Sequence, residues 1–395
     1  MYPTLTDLLK GLFGISLPLP IMTFGFAVFL AFLGGYWAFT EEMKRKEALG
    51  LVASTKVIQT IGKKPQLADL AINAVLGFLI GFKIPYIITV YTSFAADPPK
   101  YLFNHEGNWV AGLAGAAALA YWTWYEKKKT ALPQPKVIEE KVYPHELMST
   151  TVMVAAGAGI VGAKIFDNLE NWDRFISDPI GNLFSGSGLT FYGGFIFGAI
   201  AVLVYMNRYG VKPLVMLDVG AAGMMLAYAI GRVGCQLAGD GDWGIANTAP
   251  KPGWLGWAPD WVWSYNYPHN VGDEGVLIPG CQGLHCHMLV PPVFPTPLYE
   301  IIVCFILFLV LWSIRKRIKV TGALFCIYLV MNGIERFFIE LIRVNTKYHI
   351  GSLAFTQAEL ISVILFLTGA IGYIYLNRQA KAQPGPASAE LQNAG

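Results

Sequence analysis

Long apolar runs broken by short polar loops dominate the chain. Nine runs have the length or composition of membrane helices: 20–40, 68–90, 109–125, 148–166, 189–207, 214–236, 297–314, 322–343 and 354–376. A spanning helix needs about 20 mostly apolar residues. The run 109–125 is short, and 148–166 is rich in Gly and Ala. Small residues let membrane helices approach closely, so the latter reads as an interior helix. Residues 4–15 read as a short amphipathic helix on the outer interface. The tail 379–395, polar and rich in Ala, Gly and Pro, reads as disordered.

Composition supports a membrane as the solvent. Of 395 residues, 54% are hydrophobic and 14% charged, against about 25% charged in soluble domains. The net charge of +3 argues against a nucleic-acid binder. Basic residues fix the orientation. With the N-terminus outside, the inside loops 41–67, 126–147, 207–213 and 315–321 and the C-terminal tail collect nearly every loop Lys and Arg. Outside segments hold only Lys10, Lys100, Arg174, Lys251 and Lys347. The expected fold is an all-α polytopic membrane protein of nine spans, N-out and C-in. No basic n-region precedes the first span, so no cleavable signal is expected.

Ionisable residues are expensive inside a membrane, about 2.5–3.5 kcal/mol each at a helix centre, and usually face a polar interior. Here they are Lys83, Lys164, Asp218, Arg232, Glu300, Glu335, Arg336, Glu340, Arg343 and Glu359. In NGIERFFIELIR (332–343), Arg336, Glu340 and Arg343 stand at i, i+4 and i+7, with Asn332 one turn earlier. At helical spacing they share a face. Pairing of Arg336 with Glu340 as a helix lock explains two of these charges but not the second arginine. Arg232 closes one span in YAIGRVGCQLAGDGDWG (228–244), just before Asp240 and Asp242, and Glu300 opens another. In the nine-span arrangement these groups all lie toward the outer leaflet. Guanidinium forks bind phosphate bidentately, so the pattern points to a phosphate-bearing lipid. The Gly-rich stretch 186–198 (GSGLTFYGGFIFG) opens another helix on that side; it fits anion binding at a helix start and close helix packing equally well.

The loop 240–296 carries Trp243, Trp254, Trp257, Trp261 and Trp263 and almost no positive charge. It reads as an interfacial cap or a lid over an outer-leaflet site. Within it, Cys281 and Cys286 flank His285, with His287 adjacent. Four ligands in seven residues suit a tetrahedral metal site poorly, which favours a disulfide. No metal or cofactor is expected. Cys304 and Cys326 read as small core residues.

Several of these segments together resemble the bacterial prolipoprotein diacylglyceryl transferase family, over about 148–376 and the first span. GRVGCQLAGDGDWG (231–244) is similar to the family signature Gly-Arg-x-Gly-Asn-Phe-x-Asn-x-Glu-x-x-Gly. FPTPLYE (294–300) resembles His-Pro-Ser-Gln-Leu-Tyr-Glu, and TQAELIS (356–362) resembles Gly-Gln-x-Leu-Ser. Arg232 and Arg336 match two essential arginines, Glu340 and Arg343 keep register, and Asp218 matches an aspartate fourteen residues before Arg232. The chain departs from the family where Tyr192 replaces the histidine of His-Gly-Gly, Cys235 an asparagine, and Phe24 and Asn332 tyrosines. Asp240 or Asp242 replaces a glutamate, with one residue inserted.

The resemblance implies a seven-helix core at 1–55 and 131–378, two inserted spans within 56–130, and the outer loop and tail already described. It implies transfer of a diacylglyceryl group from phosphatidylglycerol to the lipobox cysteine of a prolipoprotein signal peptide. A thioether forms and glycerol phosphate leaves, at the periplasmic side of the bacterial inner (plasma) membrane among its lipids. The catalytic candidates are Arg232, Arg336, Tyr192, Asp240 and Asp242. Substrate-binding candidates are Gly193, Gly194, Cys235, Gln236, Tyr299, Glu300, Asn332, Glu340 and Arg343. Ionisation of the thiol by nearby arginines and an aspartate base are both open. The alternative is a catalytically weak relative that binds lipid or lipoprotein.

Overall fold

A computed structural model describes residues 1–382, apart from 18, 20, 97–100, 103, 185–187, 189 and 351–352. The chain is mostly helical. Its longer helices are α1 (Leu5–Phe13), α2 (Thr23–Ala48), α3 (Leu67–Thr89), α4 (Trp109–Thr130), α5 (Met148–Glu170), α6 (Phe191–Arg208), α7 (Pro213–Ala238), α8 (Thr296–Ile314), α9 (Ala323–Glu340) and α10 (Gln357–Ala382). Residues 379–382 of the tail expected to be disordered belong to α10, which runs to Ala382; the rest of that expectation, 383–395, lies outside the described residues. So do 186, 187 and 189 of the Gly-rich stretch.

Among the described residues, seven helices are long and apolar enough to cross a membrane: α2, α3, Pro144–Glu170, α6, α7, α8 and α10. The protein is a multi-pass membrane protein. The other two expected spans are helical but fall short of that measure. α4 ends in Glu126 and three lysines, and α9 packs Glu335, Arg336 and Glu340 into 18 residues. α1 forms where an amphipathic helix was expected. Thr4 and Asp7 cap it reciprocally, and Gly14 ends it in the left-handed region at φ 70°.

The chain divides into two compact units, 1–51 with 211–395, and 52–210. The boundaries read from the resemblance fall elsewhere, at 55/56 and 130/131. In the first unit α7 is the central helix, packed by α2, α8 and α9, while α10 packs on α9. Within its most apolar stretch 61% of α7 is buried, against 28% for α2 and α8 and 11% for α10. Its alanines explain this. Ala221, Ala222 and Ala229 meet Ala38, Cys304, Phe308 and Leu324 in one core, and small side chains let the helix axes close up. Asp218 lies at the basic end of this bundle. It pairs with Lys46 at 3.1 Å and accepts from the Gly322 and Phe325 amides, so it fastens the start of α9. Glu42 pairs with Arg45 and Arg315 beside it.

In the second unit α3 packs on α4, and α5 on α6. Strands Thr55–Ile61 and Lys136–Val142 pair antiparallel, Thr55 against Val142. Glycines set both helix contacts. A Cβ on Gly77 would lie 2.2 Å from the Gly115 carbonyl oxygen, and one on Gly193 2.4 Å from that of Gly162.

The loop between α7 and α8 folds around its own core of Trp243, Tyr267, Leu289 and Val293, with Met1 against it. Cys281 and Cys286 are disulfide-bonded. Trp254, Trp257 and Trp261 are exposed, as interfacial anchors would be, while Trp243 is buried.

Candidate functional site

Three elements and a loop of the first unit bring six charged side chains together. Arg232 comes from the last turns of α7, Glu300 from the second turn of α8, and Arg336 and Glu340 from the end of α9. Asp242 comes from the outer loop. Arg343 was expected on the helical stripe but lies beyond it, since α9 ends at Glu340. A short bridge holds it instead: Gly244 pairs with Arg343, and the Ile245 amide donates to the Ile342 carbonyl at 2.8 Å. The outer loop and the segment after α9 therefore set Asp242 and Arg343 on adjoining backbone.

Glu300 is the hub. Its side chain is fully buried, and its Oε1 lies 3.1 Å from Arg336 Nη1, 3.2 Å from Arg232 Nη2 and 3.8 Å from Arg343 Nη1. The Tyr228 hydroxyl donates to the same oxygen at 2.8 Å. Asp242 bridges the other side, with one oxygen on Arg232 Nη1 and the other on Arg343 Nη2. Arg336 Nη2 reaches Glu340 Oε2 at 3.2 Å, and Asn345 donates to the other oxygen of Glu340 at 2.5 Å. Three guanidiniums thus face three carboxylates. Such a network holds together in low dielectric because each charge has an opposite neighbour. Arg232 and Arg336 do not sit on private partners; they share one carboxylate oxygen.

The network is partly open. The Asp242 side chain is 32% exposed and that of Arg336 20%, while Glu300 and Glu340 are closed off. Burial works against the charge on Asp242, but the Arg232 and Arg343 guanidiniums outweigh it and hold its carboxyl below the usual carboxylate range. Asp240 stands next to this edge, beside the Cys235 thiol, which in turn lies 4.0 Å from Arg232 Nη1. Asp240 remains solvent-exposed. Even so, desolvation by the surrounding protein, then the Asp242 charge, raise its carboxyl above the usual value.

Other expected site residues do different work. Gln236 is buried and accepts from the Tyr267 hydroxyl at 2.8 Å, and Tyr299 donates to the Val262 carbonyl at 2.9 Å. Both fasten the outer loop to the helices. Asn332 is half-buried one turn before Arg336 and takes no part in the ion pairs. Gly193 and Gly194 pack against Gly162 and Gly159 of α5 within the second unit. Tyr192 lies there too, in the first turn of α6, its ring edge-on to Phe191 at 6.0 Å.

Sequence reasoning missed Tyr228 and Asn345. Tyr228 stands four residues before Arg232, hence on the same helix face, and its ring lies 5.2 Å from the guanidinium carbon. That spacing was available as a signal. Asn345 sits in irregular chain, and no pattern marks it.

Comparisons with known proteins agree on one family. A family model described as prolipoprotein diacylglyceryl transferase matches residues 108–375. Among similar proteins, the phosphatidylglycerol–prolipoprotein diacylglyceryl transferase of Leptospira interrogans is 27% identical over 321 residues, covering 69% of this chain and 90% of the relative. The protein of the same name from Dehalococcoides mccartyi is 28% identical over 270 residues, covering 68% and 87%. That of Streptococcus agalactiae is 30% identical over 231 residues, covering 58% and 79%.

Proposed function

The chain belongs to the prolipoprotein diacylglyceryl transferase family, and on that premise we propose that it transfers the diacylglyceryl group of phosphatidylglycerol to the lipobox cysteine of a prolipoprotein. The observation that carries this reading is the shared grip of Arg232 and Arg336 on Glu300. It supports one cationic wall built from two separate helices and joined by Arg343.

In this reading the lipid phosphate lies against the guanidiniums. The peptide thiol attacks the glycerol carbon that bears the phosphate ester. The sulfur–carbon bond forms, the carbon–oxygen bond breaks, and glycerol phosphate leaves with the bonding electrons. Positive charge fixed beforehand stabilises the negative charge that gathers on the leaving phosphate. Because the wall is held in place by Glu300, little reorganisation is needed at that moment. The low dielectric around the helices strengthens the effect. The thiol, with an ordinary pKa of about 8.5, must lose its proton. Asp240 is the accessible carboxylate at the edge of the wall, and its raised pKa suits it to accept that proton. Tyr192, Gly193 and Gly194 stay in the proposal on the resemblance alone.

The same reading places the protein in the inner membrane with nine spans, N-terminus outside and the site facing the periplasm. The basic loop 126–147 then lies in the cytoplasm. Labelling of Lys127, Lys128 and Lys129 from the periplasmic side of sealed vesicles would contradict that placement.

The test of function is reconstitution with phosphatidylglycerol and a lipobox peptide, scored for thioether and released glycerol phosphate. The expected result is product with the parent chain and a loss of about 10²–10³-fold in Arg232→Ala and in Arg336→Ala. Lipid binding without thioether in the parent chain would support instead a relative that only binds lipid.

A further inference from the structure

The carboxylate of Asp242 stands where a substrate anion would be held. Its two oxygens bridge Arg232 and Arg343, one to each guanidinium. The two non-bridging oxygens of a phosphodiester present the same pair of acceptors, and guanidinium forks take either group in that manner. In direct contact, the three guanidiniums are already matched one for one by Asp242, Glu300 and Glu340. Adding a phosphodiester to the intact network leaves one uncompensated negative charge at the edge of a low-dielectric bundle, which is costly. One carboxylate must therefore give way.

The three differ in freedom. Glu300 and Glu340 belong to helices, and their side chains are closed to solvent. Asp242 belongs to the loop, and its side chain is 32% exposed. Just before it, Gly239 and Gly241 take left-handed backbone at φ 66° and 95°, and a Cβ on Gly241 would meet only the Glu274 carboxylate at 3.8 Å. The chain around Gly241 thus has room to turn. Just after it, Trp243 is buried in the loop core, and the Thr296 hydroxyl holds the Asp242 carbonyl at 2.7 Å. The carboxylate can leave the arginines while its backbone remains nearby.

We propose that Asp242 is a place-holder for the substrate phosphate: its carboxylate closes the Arg232–Arg343 pair in the empty protein and is displaced when a phosphodiester enters. The exchange keeps the site near charge balance. It also has the returning carboxylate help to expel the glycerol phosphate product. This inference rests on the proposed transfer reaction and adds to it a role for one loop residue.

The test uses the full chain in phosphatidylcholine nanodiscs, with two probes in separate arms: added phosphatidylglycerol, and inorganic phosphate. Asp242→Asn removes the competing charge and keeps the shape. It is expected to bind phosphatidylglycerol about tenfold tighter than the parent chain, with a lower KM and slower product release. Asp242→Glu, which restores a charge, is expected to bind no more tightly than the parent. A side chain that only oriented Arg232 would give weaker binding in Asp242→Asn, and unchanged or weaker binding overturns the place-holder. A gain confined to inorganic phosphate overturns the lipid assignment.

A measurement on the unmutated chain guards against a misfolded variant. Hydrogen exchange over 239–242, the glycine turn that carries Asp242, should quicken when phosphatidylglycerol binds, and protection of that segment contradicts the exchange. Should the parent chain transfer diacylglycerol while these tests fail, the place-holder alone is lost. Should it transfer nothing, the functional reading is lost as well.

Discussion

Asp240 and Asp242 show how much two neighbouring carboxylates can differ. Two guanidiniums hold the Asp242 carboxyl below the ordinary range, whereas desolvation, and after it the Asp242 charge, hold that of Asp240 above it. A proton acceptor must be ionised to work. Transfer that depends on Asp240 should therefore rise as pH increases through its raised pKa, above the ordinary value of about 3.9. Asp240→Asn is expected to lower kcat by about 10²–10⁴-fold and to erase that acid limb. An Asn variant that keeps both rate and limb would remove Asp240 from the chemistry. The sequence made the arginines and carboxylates legible, because a charge in an apolar run needs an explanation. It left open which aspartate meets Arg232, since two lie two residues apart in a loop of many glycines. Gln236 and Tyr299 could not be distinguished from site residues for a related reason: a buried polar side chain looks the same in sequence whether it serves a ligand or a loop.

Among the elements, α7 and the α5–α6 pair follow the same rule with different residues. Apolar attraction between helices is weak in lipid, so close backbone approach has to supply the contact. Alanines do this for α7. For α5 and α6, Gly162 and Gly193 face each other's carbonyls. Gly193→Ala would place a methyl 2.4 Å from the Gly162 carbonyl oxygen. It should cost about 1–3 kcal/mol by forcing the helices apart, seen as a lower melting temperature in detergent. Gly157→Ala, with nothing within 4 Å, is the control and should not destabilise. Equal melting of both variants with the parent would remove the packing role of Gly193. The Gly-Gly pair at 193–194 fitted anion binding and packing equally well in sequence, because glycine spacing does not say which backbone comes close. The end of α9 was also beyond pattern reading. Arg343 keeps helical spacing with Arg336, yet the bridge to Gly244 ends the helix first.

Across the molecule, membrane-spanning character was legible in seven of the nine expected runs, since seven described helices have the length and apolarity to cross. The family was legible too, because its motifs cluster where the charges do, and the match extends over 108–375. The division into two units was hidden. It depends on which helices touch, and α5 and α6 carry no mark in sequence that sets them apart from α7. The outer loop supplies Asp242 to the network and, through the Gly244 bridge, holds Arg343 beside it; its own disulfide and aromatic core keep it folded over the ends of α7 and α8. The central claim is that arginines from α7 and α9 act on one phosphate as a unit. A double-mutant cycle on transfer rate tests this most directly. If the account is right, Arg232→Ala and Arg336→Ala together cost little more than the worse single change, because groups acting as a unit are strongly non-additive. If the two losses simply multiply, the arginines act separately and the account is wrong.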